Sequence, residues 1–176
     1  MKLLKNYNQF NEGIRELMTP KSEEEILKSV EGLNYTKKLD KGVEYGIPWV
    51  VQQAIDEAKE QREIIVKTWH ITHSLLYNHF DIVRILVDSN PRDLNNDMIA
   101  GNAYRTGNYD IVKYLVEHGL TANRVSLANF YQWMRSGKNS EIIKLLISVS
   151  PVMKAKLVNK AKLISRDLKT VNDFLK

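Results

Sequence analysis

A hydrophobic pattern occurs four times along this chain, at intervals of about thirty residues. Apolar residues at positions i, i+1, i+4 and i+5 recur in four segments that begin 32, 29 and 31 residues apart: 50–55, 82–87, 111–116 and 142–147. This spacing places the apolar side chains on one broad face of an α-helix, whereas a strand would alternate. A helix repeated at this interval is typical of helical solenoids. The repeat therefore predicts an all-α chain, a short solenoid of about four helix–turn–helix units.

Each repeat also carries a turn-forming residue shortly before its apolar segment. These residues are Gly46, Asn78, Gly107 and, shifted by one position, Gly137. Glycine and asparagine adopt the left-handed conformation that ends one helix and lets the chain turn back into the next. Small residues precede three of these turns by four positions, at Gly42, Ser74 and Ala103. We expect two helices to approach each other closely at these small residues.

The third repeat has more specific features than the others. In residues 107–123 a turn glycine is followed by an acidic residue, the sequence Ile-Val-Lys and a closing Glu-His-Gly. This segment resembles the second half of an ankyrin repeat, and residues 78–87 resemble it less closely. The resemblance implies degenerate ankyrin-like repeats over residues 35–150, whose first helices line a concave face. The family's Thr-Pro-Leu-His sequence, which connects neighbouring repeats through hydrogen bonds of its Thr and His, is absent: residues 69–72 and 98–101 occupy those positions.

Both ends of the chain differ from the repeats, and we expect them to cap the stack. Residues 22–25 read Ser-Glu-Glu-Glu, a capping box that predicts a short helix within an N-terminal cap of residues 19–34. Residues 151–176 are expected to form C-terminal capping helices, because a solenoid needs terminal units with one polar face. Residues 1–18 form a leader similar to N-terminal segments of proteins of large tailed bacteriophages, and such ankyrin copies are common in viral genomes. We interpret the whole chain as a single domain.

The net charge of +5 is confined to the C-terminal end. Residues 1–151 carry 19 basic and 19 acidic side chains, whereas residues 152–176 carry 7 basic and 2 acidic ones. An apolar stripe in this tail is expected to seal the last repeat: Met153, Leu157, Ala161, Ile164 and Leu168. Other faces carry the basic residues of the tail: Lys154, Lys156, Lys160, Lys162 and Arg166. Such a helix could contact nucleic-acid phosphates, but it equally suits a cap with a solvated face, and we favour the cap.

Residue types that most catalytic and metal sites need are missing or poorly spaced. The chain has no cysteine, which excludes disulfides, thiolate nucleophiles and sulfur-ligated zinc. His70 and His73 share a helix face, but no carboxylate joins them at ligand spacing, so we interpret them and His79 as structural and predict no metal site. His118 precedes Gly119 and suits the negative end of a helix. Without a nucleophile motif or phosphate-binding loop, we predict no catalytic residue, enzyme activity, cofactor or small-molecule substrate.

Apolar residues form no run long enough to imply a membrane or secretory segment. No stretch approaches the roughly twenty apolar residues of a transmembrane helix. The first residues contain no apolar run of signal-peptide length. We therefore expect a cytoplasmic protein, in the host cytoplasm if the chain is viral, with no membrane partner.

Aromatic and arginine side chains cluster on the expected first helices, just before the turns. The candidates for partner contacts are Tyr104, Arg105, Tyr131, Trp133 and Arg135. On the concave face implied by the ankyrin resemblance they would be partly exposed, and these residue types are enriched in binding hot spots. The alternative is that they fill gaps between helix pairs. We predict a non-enzymatic module that binds another protein through its concave face and turn tips; the alternatives are nucleic-acid association through the basic tail and a structural role in a viral assembly.

Overall fold

The computed structural model describes residues 22–90 and 94–163, and within these ranges the chain is helical with no strand. The helices are α1 (Glu23–Val30), α2 (Tyr35–Tyr45), α3 (Pro48–Glu60), α4 (Thr68–Leu76), α5 (Phe80–Ser89), α6 (Asp97–Thr106), α7 (Tyr109–Glu117), α8 (Leu127–Ser136), α9 (Ser140–Ser148) and α10 (Pro151–Leu163). The all-α prediction is confirmed for these residues. Among them, no helix has the length and apolar character needed to cross a bilayer. The predicted leader, residues 1–18, lies outside the described ranges.

Contacts divide the chain into two compact units, residues 1–33 and 34–176. In the first unit, α1 begins with the predicted capping box. The Oγ of Ser22 accepts a hydrogen bond from the backbone N–H of Glu25 at 3.2 Å, and Oε2 of Glu25 accepts one from the N–H of Ser22 at 3.0 Å. The two bonds satisfy amides that the first helical turn leaves without partners. Beyond the helix, Gly32 takes a left-handed φ of +70°.

In the second unit, consecutive helices form pairs joined by short turns: α2–α3, α4–α5, α6–α7 and α8–α9. A left-handed residue stands at each turn: Gly46 (φ +70°), Asn78 (+60°), Gly107 (+66°) and Gly137 (+64°). These are the four turn residues expected from the sequence, and the expectation is confirmed. The one-residue shift at the last turn has a local cause: Gly137 stands three residues before its second helix begins, whereas the other three turn residues stand two before, and Asn139 in this turn is also left-handed, with φ +53°.

Contacts also run between successive pairs. Along the first helices, α2 contacts α4 and α4 contacts α6; along the second helices, α3 contacts α5 and α7 contacts α9; α10 then packs on α8 and α9. The apolar segments of the repeat supply the core of this unit. All of their i, i+1, i+4 and i+5 side chains are buried except Val116, which is partly buried. The repeated pattern therefore marks the helix faces that pack together.

The small residue before the first turn lies at a close approach of two helices. A Cβ added to Gly42 would lie 2.8 Å from Cγ2 of Val51 and 3.0 Å from the backbone nitrogen of the same residue. The corresponding residues of the next two pairs, Ser74 and Ala103, have no exposed surface. The expectation of close packing at these positions is confirmed.

Hydrogen bonds of polar side chains connect neighbouring pairs, although the Thr-Pro-Leu-His sequence is missing. The Nδ1 atom of His70 lies 2.9 Å from the backbone N–H of Lys67 and accepts its hydrogen bond. Its Nε2 lies 2.9 Å from Oδ1 of Asp40 on the preceding pair, and as the protonated nitrogen of the neutral ring it donates to that carboxylate. Further along, the side-chain amide of Asn139 donates to the carbonyl of Tyr104 at 2.7 Å. The His70–Asp40 and Asn139–Tyr104 hydrogen bonds each join one helix pair to the next.

Candidate protein-binding surface

A groove of about 250 Å³ lies between α6 and α8, the first helices of two successive pairs. The residues used below are Met98, Asn102 and Arg105 on one wall and Asn129, Gln132 and Trp133 on the other. On α6 they are four and three positions apart, and on α8 Gln132 and Trp133 follow Asn129 by three and four positions, so each set lies on one side of its helix. We call this feature the α6–α8 groove.

A second, smaller groove of about 160 Å³ lies between α4 and α6. Leu76, Asn78 and Thr106 line it, so it reaches the turns that follow both helices. Asn102 and Arg105 line both grooves. One surface therefore extends over α4, α6 and α8. Leu76 and Met98 are both 59% exposed on it.

Two of the predicted contact residues are buried. The sequence predicts partial exposure for all five candidates, and this is wrong for Tyr104 and Tyr131, of which 7% and 8% of the surface is exposed. The Tyr104 ring stacks on the Trp133 indole with centroids 4.5 Å apart, and its hydroxyl lies 2.8 Å from Oγ of Ser136. Tyr131 packs towards α10, where Nζ of Lys160 lies 5.5 Å from its ring centroid. The Tyr104 ring lies between α6 and α8 and the Tyr131 ring between α8 and α10, since large aromatic rings suit packed interfaces.

The structure brings Arg105 and Trp133 together in the α6–α8 groove. Arg105 is exposed and donates through Nη1 to Oδ1 of Asn102 at 3.2 Å. Trp133 is half-buried, held between the Tyr104 ring and the ring of Phe130, whose centroid is 5.3 Å away. Arg135 is exposed on α8 but does not line the groove. Sequence reasoning missed Met98 and the amides Asn102, Asn129 and Gln132, although each lies within about two helical turns of a predicted contact residue.

The described part of the basic tail packs onto the last pair. Met153 and Leu157 have no exposed surface, so the apolar stripe is confirmed at these two positions. Lys154 and Lys156 are exposed, and Lys160 is half-buried over Tyr131. The remaining predicted residues lie outside the described part: Ile164, Arg166 and Leu168 entirely, and Ala161 and Lys162 in their side chains. Nucleic-acid association through this tail stays a prediction.

His70, His73 and His79 lie near the turn between α2 and α3. His70 has no exposed surface, and Nδ1 of His73 is buried without a hydrogen-bond partner among the described residues. The His79 imidazole packs on the turn glycine, so closely that a Cβ added to Gly46 would clash with its ring atoms. Within residues 22–90 and 94–163, no three His, Cys, Asp or Glu side chains are arranged to hold a metal ion.

These histidines are expected to make the fold sensitive to acid. Burial lowers the pKa of His70, against the opposing effect of the Asp40 carboxylate, and burial also lowers the pKa of His73 and His79. In the unfolded chain each ring takes up a proton below about pH 6.5, so the unfolded state binds more protons and stability falls as the pH drops. We expect a lower free energy of unfolding by urea at about pH 5.5 than at about pH 7.5.

A histidine variant separates this effect from general acid denaturation. His73→Gln should keep more of its stability between the two pH values than the unaltered protein does, because it has one fewer buried ring to protonate. The carboxylate of Glu57, whose pKa is lowered by its hydrogen bond with Lys38, titrates below this window. Equal stability of the unaltered protein at both pH values would contradict the expectation.

Comparison with known proteins places this chain in no family. No protein-family model, curated protein or solved structure matches it. The resemblance of residues 107–123 to an ankyrin repeat therefore stays a prediction based on the sequence.

Proposed function

We propose that this chain is a protein-binding module made of degenerate ankyrin-like helix pairs, and that the surface over α4, α6 and α8 is where its partner binds. The observation that carries this proposal is the α6–α8 groove, in which Met98 is 59% exposed beside a half-buried Trp133. Methionine and tryptophan are enriched in protein interfaces, and both gain from losing contact with water. In this proposal α10, with Met153 and Leu157 buried, serves as the C-terminal cap of the stack.

Rigid support of the tryptophan favours binding. Tyr104 stacks on the Trp133 indole and is itself held by a hydrogen bond to Ser136. Because folding has already fixed these side chains, a partner would not have to order them on binding. Association then costs about 0.5–1.5 kcal/mol less for each side chain that is already immobilised. The groove thus offers a preformed anchor flanked by the side-chain amides of Asn129 and Gln132.

Site-specific cross-linking tests the proposal. A photoreactive phenylalanine replaces Gln132 in the groove or, as a control, the exposed Lys113 on α7. In cells of the source organism we expect a discrete adduct from the groove position and none from α7. The cross-linked protein, once identified by mass spectrometry and purified, should bind Met98→Asp about tenfold or more weakly, because the new carboxylate would lose its hydration in the interface.

One further measurement, of folding, makes this test decisive. Circular dichroism should show that Met98→Asp remains folded, as expected for a residue that is 59% exposed. Adducts of equal yield from both positions, or unchanged affinity of Met98→Asp for the purified partner, would exclude the groove as the binding surface.

A further inference from the structure

The ends of the α6–α8 groove carry opposite charges. Asp97 lies in the first turn of α6 and Arg105 in its last turn, and both are exposed. Among the groove-lining residues these two alone are charged. Neither forms an ion pair with another described residue: the described contact of Arg105 is with the neutral Asn102.

Helix geometry sets the distance between the two charges. Eight residues separate Asp97 from Arg105, which corresponds to about 12 Å along the helix axis. An extended peptide advances about 3.3 Å per residue, and its alternate side chains point to the same side. Side chains at positions i, i+2 and i+4 of such a peptide would therefore face the groove over about 13 Å.

The wall between the charges is suited to an extended backbone and one apolar side chain. Met98 and Trp133 provide a flexible and a rigid apolar surface. The amides of Asn102, Asn129 and Gln132 can each donate and accept hydrogen bonds, as the N–H and C=O groups of an extended peptide require.

From this arrangement we infer that the α6–α8 groove binds an extended peptide segment with an acidic side chain at the Arg105 end, an apolar side chain two residues away at Trp133, and a basic side chain two residues further at the Asp97 end, beside Met98. Trp133 lies midway between the charges, because its Cζ2 would be 3.8 Å from a Cβ added to Gly101, four residues from each. The inference rests on the proposed function and specifies the chemistry of the partner. The inference does not fix the N-to-C direction of the bound peptide, because amide side chains can hydrogen-bond to a backbone in either orientation.

Peptide selection with charge-altered variants tests this inference. A displayed library of random dodecapeptides is selected separately on the unaltered protein, on Arg105→Glu and on Asp97→Lys. We expect the unaltered protein to enrich one acid and one base, each two residues from an apolar residue. Arg105→Glu should enrich two bases and Asp97→Lys two acids around that apolar residue, because each variant gives both ends of the groove the same charge.

Synthetic peptides then provide affinities. A peptide selected on the unaltered protein should bind each charge-altered variant about tenfold more weakly. Asp110→Lys, which alters an exposed acidic residue on α7 that does not line the groove, is the matched control and should bind as the unaltered protein does.

The outcomes separate the inference from the proposed function. If selected peptides lose binding to Met98→Asp but show the same charge pattern on all three proteins, the charge-based inference is wrong and the binding function stands. If no enriched peptide depends on Met98, or if no peptide is enriched, both the inference and the groove as a peptide-binding surface are wrong.

Discussion

Gly42→Ala is expected to lower the free energy of unfolding by about 1–2 kcal/mol, although alanine is the better helix former. The added methyl group would lie 2.8 Å from Cγ2 of Val51, 3.1 Å from Cγ1 of Val50 and 3.0 Å from the backbone nitrogen of Val51. Both valines are fully buried, so neither can move without disturbing the core. Such overpacking costs about 1–3 kcal/mol, and the gain in helix propensity of up to about 1 kcal/mol offsets part of it.

Gly101→Ala is the matched control, since both glycines lie inside first helices. A Cβ at Gly101 would meet only the Cζ2 atom of Trp133, at an ordinary contact distance of 3.8 Å. This variant should therefore gain about 0.5–1 kcal/mol from helix propensity alone. Urea denaturation measures both values. A stabilising effect of Gly42→Ala would contradict the close approach of α2 and α3.

Tyr104→Ala is expected to destabilise the protein by about 3–4 kcal/mol, as the loss of a large buried ring commonly does. The ring is 7% exposed and fills the space between α6 and α8 against Trp133. Tyr104→Phe keeps the ring and loses only the hydroxyl, whose shortest hydrogen bond is with Ser136, so it should cost about 1 kcal/mol. Tyr109→Ala is the control, because that side chain is 43% exposed and should contribute less than about 1 kcal/mol.

This series also determines how binding data on Tyr104 must be interpreted. Its ring lies behind Trp133 and supports it, so any loss of partner binding in Tyr104→Ala would follow from a loosened groove. Equal stability of Tyr104→Ala and Tyr109→Ala would contradict the buried position and restore Tyr104 as a candidate for direct contact.

The helix pairs and their turns could be predicted because the relevant signals are local. The repeated apolar positions lie within single helices, and Gly46 and Gly107 show their backbone preference in the sequence itself. Fifteen of the sixteen residues at the repeated positions are buried, and the exception, Val116, still packs against the core.

Burial of the aromatic residues could not be predicted, because it depends on residues in the next repeat. Tyr104 is covered by Trp133 and Ser136, which follow it by about thirty residues. The contact between His70 and Asp40 spans a similar distance in sequence and has no motif of its own. A residue's place just before a turn can be predicted from the sequence. Whether its side chain is exposed to solvent depends on how the following helix pair packs against it.

The α6–α8 groove was only partly predictable for the same reason. Arg105 and Trp133 could be predicted as contact residues because arginine and tryptophan are common in binding hot spots. The sequence around Met98 does not indicate that this side chain is 59% exposed in a groove between α6 and α8.

The chain contains three tryptophans, and their indole N–H signals offer the most direct test of the groove as the binding surface. Trp133 lines the groove, whereas Trp49 is 44% exposed on α3 and can serve as an internal control. In ¹H–¹⁵N correlation spectra, addition of the cross-linked partner or of a selected peptide should shift the Trp133 signal and leave that of Trp49 in place. A shift of the Trp49 signal with no change at Trp133 would contradict the account.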